Sequence, residues 1–113
     1  MSARLPAHLE VAGLIRAVEA AGGFAAVVRK GEREAGTILV ILTEKGANAR
    51  LFERMPDPEG GRIWHCTAIQ DTENKPEFND QLARRASRDP DLWIVELDIA
   101  DGERFIGLTG SVG

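Results

Sequence analysis

The chain has 113 residues and a formal net charge of −4 at pH 7, from 14 basic and 18 acidic side chains. Apolar residues make up 43% of it and charged residues 28%, a balance typical of a folded domain and not of a disordered chain. The longest apolar runs, residues 24–28 and 38–42, are far shorter than the roughly 20 residues of a membrane-spanning helix. The first 20 residues lack a secretory pattern, and the single cysteine, Cys66, cannot form an internal disulfide, so we expect a cytoplasmic protein.

The first predicted element is a helix that begins near Pro6 and ends at Gly22 and Gly23. Proline suits the first turn because its missing N–H would have no helical partner there, and glycine ends helices because it adopts positive φ readily. Apolar residues recur at spacings of three, four and seven and form one stripe, made of Val11, Leu14, Ile15 and Val18.

Four strands are predicted next, over residues 24–28, 37–43, 49–54 and 62–69, with turns rich in glycine, proline and charged residues between them. Residues 37–43 are apolar without alternation, which predicts a central strand buried on both faces. In the fourth strand, side chains alternate between the two faces of the sheet. One face is predicted to carry Trp64, Cys66 and Ala68, and the other face Ile63, His65 and Thr67.

A second helix is predicted from Pro76 to about Arg88, followed by a strand over residues 92–99 and a small contact at Phe105 and Ile106. Residues 107–113 are predicted to be a frayed tail, because they have little to bury. The order helix, four strands, helix, strand predicts one α+β domain over residues 1–113. We expect two layers, with both helices on one face of a mainly antiparallel sheet of about five strands.

Four segments of the sequence resemble a known family. Three of them lie in the first part of the chain: residues 22–25 (GGFA), 29–31 (RKG) and 36–39 (GTIL). The fourth and most specific segment is residues 89–98 (DPDLWIVELD). The chain resembles short bacterial proteins grouped as domain of unknown function 1491, over nearly its whole length. The resemblance implies a single small cytosolic domain, and it assigns no activity, cofactor or substrate to any residue.

One motif points to catalysis. Pro56 with Asp57, and Glu73 with Lys75, match a nuclease pattern in which two carboxylates hold Mg²⁺ and a lysine orients the attacking water. However, Asp57 falls in a predicted turn and Glu73 in a predicted loop, whereas rigid elements hold metal ligands better. A metal-dependent hydrolase or nuclease using Asp57, Glu73 and Lys75 is therefore kept as the first alternative.

Cys66 lies next to His65, which raises the question of a cysteine nucleophile. Adjacent residues of a strand point to opposite faces, so His65 cannot act as the base of Cys66, and His8 could reach it only through the tertiary fold. The sequence predicts that Cys66 is a small buried core residue.

Metal-binding patterns are weak. The histidines and the cysteine do not have the spacing of zinc ligands. Glu96 and Asp98 share a strand face and, with Glu53, could bind a hard cation, although such a face is more often simply solvated. We predict no catalytic, cofactor-binding or metal-binding residue and favour a non-enzyme.

A basic cluster in the second predicted helix, Arg84, Arg85 and Arg88, supports the second alternative, a nucleic-acid-binding module. Acidic neighbours and the negative net charge favour a solvated, ion-paired surface instead, so we do not expect nucleic acid as a partner.

Protein contact is the favoured function. Trp64 and Trp93 are the candidate interface residues, because tryptophan is enriched at the centres of protein interfaces. Two helices on one face of the sheet would leave the second face of strand 37–43 uncovered, so we expect a second copy or another protein to cover it. The sequence therefore predicts a small non-catalytic cytoplasmic protein, most simply a homodimer, with no membrane partner.

Overall fold

The computed structural model describes residues 5–56 and 58–107. In chain order it contains α1 (Ala7–Ala20), β1 (Phe24–Arg29), β2 (Ile38–Glu44), β3 (Ala47–Pro56), β4 (Arg62–Ile69), α2 (Lys75–Arg88), β5 (Trp93–Asp98) and a short 3-10 helix (Gly102–Ile106). This order confirms the predicted one, and the 3-10 helix contains the predicted contact, with Ile106 buried. All but the first residue of the predicted frayed tail lies outside the described residues. No helix of the described residues is long and apolar enough to cross a membrane.

The five strands form one open sheet in the order β1-β5-β2-β3-β4. The pair at its centre, β2 and β5, is parallel, with Ile38 opposite Trp93 and Thr43 opposite Asp98. The other three pairs are antiparallel. The fold is therefore α+β with a mainly antiparallel sheet, as the sequence predicts.

The helices lie on opposite faces of the sheet, which differs from the expected two-layer arrangement. The α1 cluster contains Ala7, Val11, Val18, Ile38, Val40, Leu42, Phe52, Trp93, Val95, Leu97 and Ile106. The α2 cluster contains Leu39, Ile41, Ala49, Leu51, Phe78, Leu92 and Ile94. The reason is the parallel central pair, because the chain must cross over the sheet to bring β5 alongside β2 in the same direction. The helix of that crossover, α2, covers the face that α1 leaves open.

One consequence concerns the central strand. Residues 38–43 are all buried within this one chain. Residues 38, 40 and 42 belong to the α1 cluster, and residues 39 and 41 belong to the α2 cluster. The expectation that a second chain must cover the second face of this strand is therefore wrong, because α2 covers it.

The loop between β1 and β2 packs tightly against the start of β5. The indole Nε1–H of Trp93 donates to the carbonyl oxygen of Glu32 at 2.7 Å, and the backbone N–H of Trp93 donates to Thr37 at 2.8 Å. A Cβ added at Gly36 would lie 2.3 Å from the carbonyl oxygen of Asp91, so only glycine fits at this position.

The same loop completes the start of α1. The backbone N–H groups of Ala7 and His8 donate to the carbonyl oxygens of Glu34 and Arg33, both at 2.9 Å. Pro6 precedes them and has no side chain that can cap the helix. The loop carbonyls therefore satisfy N–H groups that have no partner within the helix.

The close approach at Gly36 predicts a substitution effect. Gly36→Ala should lower the free energy of unfolding by about 2 kcal/mol, because its methyl group overlaps the carbonyl oxygen of Asp91, which also accepts the backbone N–H of Glu32 at 2.9 Å. Thermal or urea unfolding measures the change.

The control is Gly13→Ala in α1, where an added Cβ meets no atom within 4 Å. Alanine has a higher helix propensity than glycine, so the free energy of unfolding of the control should rise by up to about 1 kcal/mol. Equal shifts in the two variants would contradict the packing described for the loop.

Candidate functional site

β1 forms one outer edge of the sheet and exposes apolar side chains. Within the described residues its only strand neighbour is β5, so about half of its backbone N–H and C=O groups point outward. Phe24 is 78% exposed, Val28 55% and Val27 42%. Isolated apolar side chains are common on surfaces, but here three lie within five residues of an outer edge. Val27 pairs with Val95 on the α1 side, and Phe24 pairs with Asp98 on the other side. A shift in register between Val27 and Arg29 leaves Val28 as an extra residue, so the three side chains line the edge without sharing one face. We call these three residues the β1 strip.

One face of β1 is open because neither helix reaches it. Ala25 packs against the α1 cluster on one face. Phe24 and Ala26 pair with Asp98 and Glu96, on the other face. There the α2 cluster extends along β5 only as far as Ile94, so both Phe24 and Ala26 remain exposed.

A shallow cavity of about 300 Å³ lies beside Phe24, at the end of the sheet. Its walls include Gly22, Gly23, Ile99 and Ala100, and are mostly apolar. Asp98 belongs to the wall, but its carboxylate accepts the backbone N–H groups of Lys45 and Gly46 at 2.7 and 2.8 Å. This carboxylate therefore closes the β2–β3 turn.

The two tryptophans differ in their environments. Trp93 is 4% exposed and belongs to the α1 cluster, so it offers almost no surface to a partner. Trp64 is half-buried on β4, and the guanidinium of Arg54 lies 4.9 Å from the centre of its ring. Arg54 also forms a forked ion pair with Glu10 of α1, at 2.5 and 3.0 Å. Trp64 is thus the only one of the pair that presents part of its surface.

Cys66 is exposed, so the prediction of a buried core cysteine is wrong. β4 is the second edge strand, and its outer side has no covering element among the described residues. A bulge between Leu51 and Phe52 pairs these residues with Ala68 and Cys66, which leaves Thr67 as an extra residue. Ala68 consequently packs against the α2 cluster, whereas Trp64 packs against the α1 cluster. The prediction that these two side chains share one face is therefore wrong.

The histidines do not assemble a nucleophile site with Cys66. His65 pairs with Glu53, whereas Cys66 pairs with Phe52 on the opposite face. His8 lies on α1, where its Nδ1–H donates to the carbonyl oxygen of Arg33 at 3.0 Å.

The acidic candidates for a cation site each have another partner. Glu96 accepts the hydroxyl of Thr43 at 3.2 Å, and Asp98 closes a turn. Glu53 accepts both guanidinium N–H groups of Arg85, at 2.7 and 3.0 Å. In residues 5–56 and 58–107, no three His, Cys, Asp or Glu side chains form a group that could hold a metal ion.

Two residues of the nuclease pattern, Glu73 and Lys75, lie a strand's length away from the end of β3. Asp57 lies outside the described residues, but β3 ends at Pro56, which pairs with Arg62 at the start of β4. Glu73 and Lys75 follow the other end of β4. A strand of this length spans about 23 Å, so Glu73 and Lys75 do not lie beside the end of β3 as the nuclease pattern requires.

The basic cluster lines a groove between α2 and the outer strands. This groove has a volume of about 190 Å³ and is lined by Leu51, Glu53, Thr67, Ala68, Gln81, Arg84, Arg85 and Arg88. The hydrogen bonds from Arg85 hold the pKa of Glu53 below its usual range, against a smaller opposing effect of burial, and Thr67 adds a further hydrogen bond. Glu53 in turn raises the pKa of Arg85. Arg84 and Arg88 form no ion pair with the described residues.

Sequence reasoning missed two of these features. The β1 strip reads as a short apolar strand that belongs in the core, and only its place at the sheet edge exposes it. The groove needs Gln81 and Thr67 from distant parts of the chain. The spacing of residues 81, 84, 85 and 88 was the available signal, because such residues share one side of a helix.

The geometry thus defines a small α+β domain with an apolar sheet edge and a basic groove. The chain belongs to the family of proteins of unknown function DUF1491, whose model matches residues 5–107. None of the curated proteins matches it.

Three solved structures resemble the chain throughout. A DUF1491 family protein from Caulobacter crescentus CB15, in a crystal structure, is 37% identical, with 90% of this chain and 94% of that one covered and a TM-score of 0.77. A nuclear magnetic resonance structure of a DUF1491 family protein from the same organism is 35% identical, with 93% and 94% covered and a TM-score of 0.76. A solution structure from A. tumefaciens is 31% identical, with 95% and 96% covered and a TM-score of 0.75. The family confirms the resemblance seen in the sequence.

The ion pair in the groove predicts a pH dependence of stability. Because the pKa of Glu53 is lowered in the folded state, its stabilising effect is complete above the pKa of an unfolded glutamate, about 4.3. It is lost as the pH falls through the lower pKa of the folded state. Urea unfolding between neutral and acidic pH should show this loss.

In Glu53→Gln, the free energy of unfolding should depend less on pH over this range. In Glu19→Gln, at an exposed position of α1, it should depend on pH as in the wild type. Superimposable profiles for wild type and Glu53→Gln would rule out the contribution assigned to this pair.

Proposed function

We propose that this chain is a small non-catalytic protein that acts through protein contact, and that a second copy pairs with it along the outer edge of β1. The observation that carries the proposal is the β1 strip, three exposed apolar side chains on a strand whose outer edge has no strand neighbour among the described residues. Burial of apolar area is the main favourable term in most protein association.

Antiparallel pairing of β1 with its copy supports this choice of partner. A two-fold axis would place the same strip on both sides of the contact and join the two sheets into one of ten strands. It would also place the basic end of each β1, which is followed by the exposed Lys30, beside the Phe24 end of the other. The Phe24 end carries both the exposed Glu44 and the exposed Lys45, so charge neither favours nor opposes this contact.

The second edge of the sheet is a weaker candidate. On β4, Ile69 is 71% exposed and Ile63 is also exposed, but they lie near opposite ends of the strand. His65, Cys66 and Thr67 lie between them, so the apolar surface is interrupted.

A cytoplasmic location is part of the proposal. The one free cysteine is exposed, and exposed thiols persist best in a reducing compartment. The family relatives come from bacteria.

The test is the mass of the particle in solution. Sedimentation at micromolar concentration should give twice the 12.3 kDa of one chain, in an equilibrium that depends on concentration. Phe24→Ser should shift this equilibrium towards the single chain by tenfold or more, since it removes most of the apolar area of the strip.

Ile69→Ser is the matched control, because it removes a similarly exposed apolar side chain from the other edge. It should leave the dimer intact. A wild-type mass of one chain would overturn self-association, and equal effects of the two variants would overturn the choice of edge. A single chain that instead binds a different protein through Phe24 would refute the second copy as the partner.

A further inference from the structure

We propose that the groove between α2 and the outer strands binds a compact oxyanion, in particular a phosphate group. Its geometry brings several hydrogen-bond donors to one place. Gln81, Arg84, Arg85 and Arg88 follow the spacing i, i+3, i+4 and i+7, so they lie along one side of α2. That side faces β3 and β4 across the groove. There Leu51 belongs to the α2 cluster, and Ala68 packs against it.

The charges in the groove do not cancel. Arg85 and Glu53 form one forked pair, which joins α2 to β3. Arg84 and Arg88 line the same groove, and the described part of the chain supplies no ion-pair partner to either. The groove therefore keeps two cationic groups in excess over its one carboxylate.

These residues suit an oxyanion chemically. A guanidinium presents planar N–H donors that match the oxygens of a phosphate or carboxylate, and such charge-assisted hydrogen bonds are stronger than neutral ones. Gln81 adds an amide donor beside Arg84 and Arg88. Because part of the lining is apolar, a bound anion is less screened there than in open solvent.

The size of the groove favours a small ligand. Its volume of about 190 Å³ lies below the roughly 300–1,000 Å³ of sites that take drug-sized molecules. A phosphate group, free or as the end of a small ester, is of suitable size.

The surrounding charges disfavour nucleic acid. Glu77 and Asp80 lie on the first half of α2, and Asp89 and Asp91 follow its end. A strand of nucleic acid would extend past Arg84 and Arg88 towards these carboxylates, and the whole chain is negative. A single phosphate group would contact the two arginines and extend less far towards these carboxylates.

Amide chemical shifts of the ¹⁵N-labelled full chain test the proposal, with inorganic phosphate and phenyl phosphate as probes at constant ionic strength. We expect saturable shifts at residues 81–88 and at Thr67 and Ala68. Tighter binding of phenyl phosphate would identify an ester as the ligand class, and tighter binding of inorganic phosphate would identify the free anion. Either result supports the groove.

The variant Arg84→Gln with Arg88→Gln should weaken phosphate binding at least tenfold, while its amide spectrum without phosphate stays dispersed as in the wild type. Both side chains are exposed, and Arg85 is kept because it pairs with Glu53.

The matched control is Arg16→Gln with Lys45→Gln, which removes the same charge from other surfaces and should bind as the wild type does. Shifts that do not saturate, or equal losses in the two double variants, would mean general charge screening and would overturn the site. Tighter binding of a short single-stranded oligonucleotide than of either probe would overturn the choice of ligand. The groove lies at the opposite side of the sheet from β1, so these outcomes are independent of the self-association test.

Discussion

The parallel contact between β2 and β5 is the constraint on which the rest of the molecule depends. Every residue from 38 to 43 is buried, and this is possible only because the chain crosses the sheet between the two strands. The crossover carries β3, β4 and α2, and it places α2 opposite α1. Both faces of the central strands are therefore covered by one chain, and the exposed apolar residues of the strands themselves lie towards the edges and ends of the sheet.

Most of the local structure could be predicted from the sequence, but the layers could not. The apolar stripe of α1 and the uniform run of residues 37–43 are local patterns, and both form the elements that they predict. Which strands become neighbours depends on a pairing between Ile38 and Trp93, 55 positions apart. No spacing within either strand encodes that pairing, so the position of α2 could not be inferred.

The exposure of individual surface residues differs from the sequence prediction for the same reason. The alternation of side chains along a strand predicts which residues lie on the same face of the sheet. Whether another element covers that face depends on residues elsewhere in the chain. Cys66 was expected in the core and is exposed because β4 lies at an edge. One bulge at Thr67 was enough to move Ala68 to the other face. Conversely, Trp93 is buried because a glycine-containing loop packs against it and Glu32 accepts its N–H.

The two proposed surfaces are related through the sheet that separates them. If two copies pair along β1, the strand order of the joined sheet runs from β4 of one copy to β4 of the other, with both grooves at its far ends. Nine strand spacings of about 4.8 Å put these ends roughly 43 Å apart. Neither groove then contributes to the contact between copies, and each keeps its own Arg84 and Arg88. Self-association would therefore leave the two proposed anion sites widely separated, so that each could hold a phosphate-bearing ligand without contact with the other.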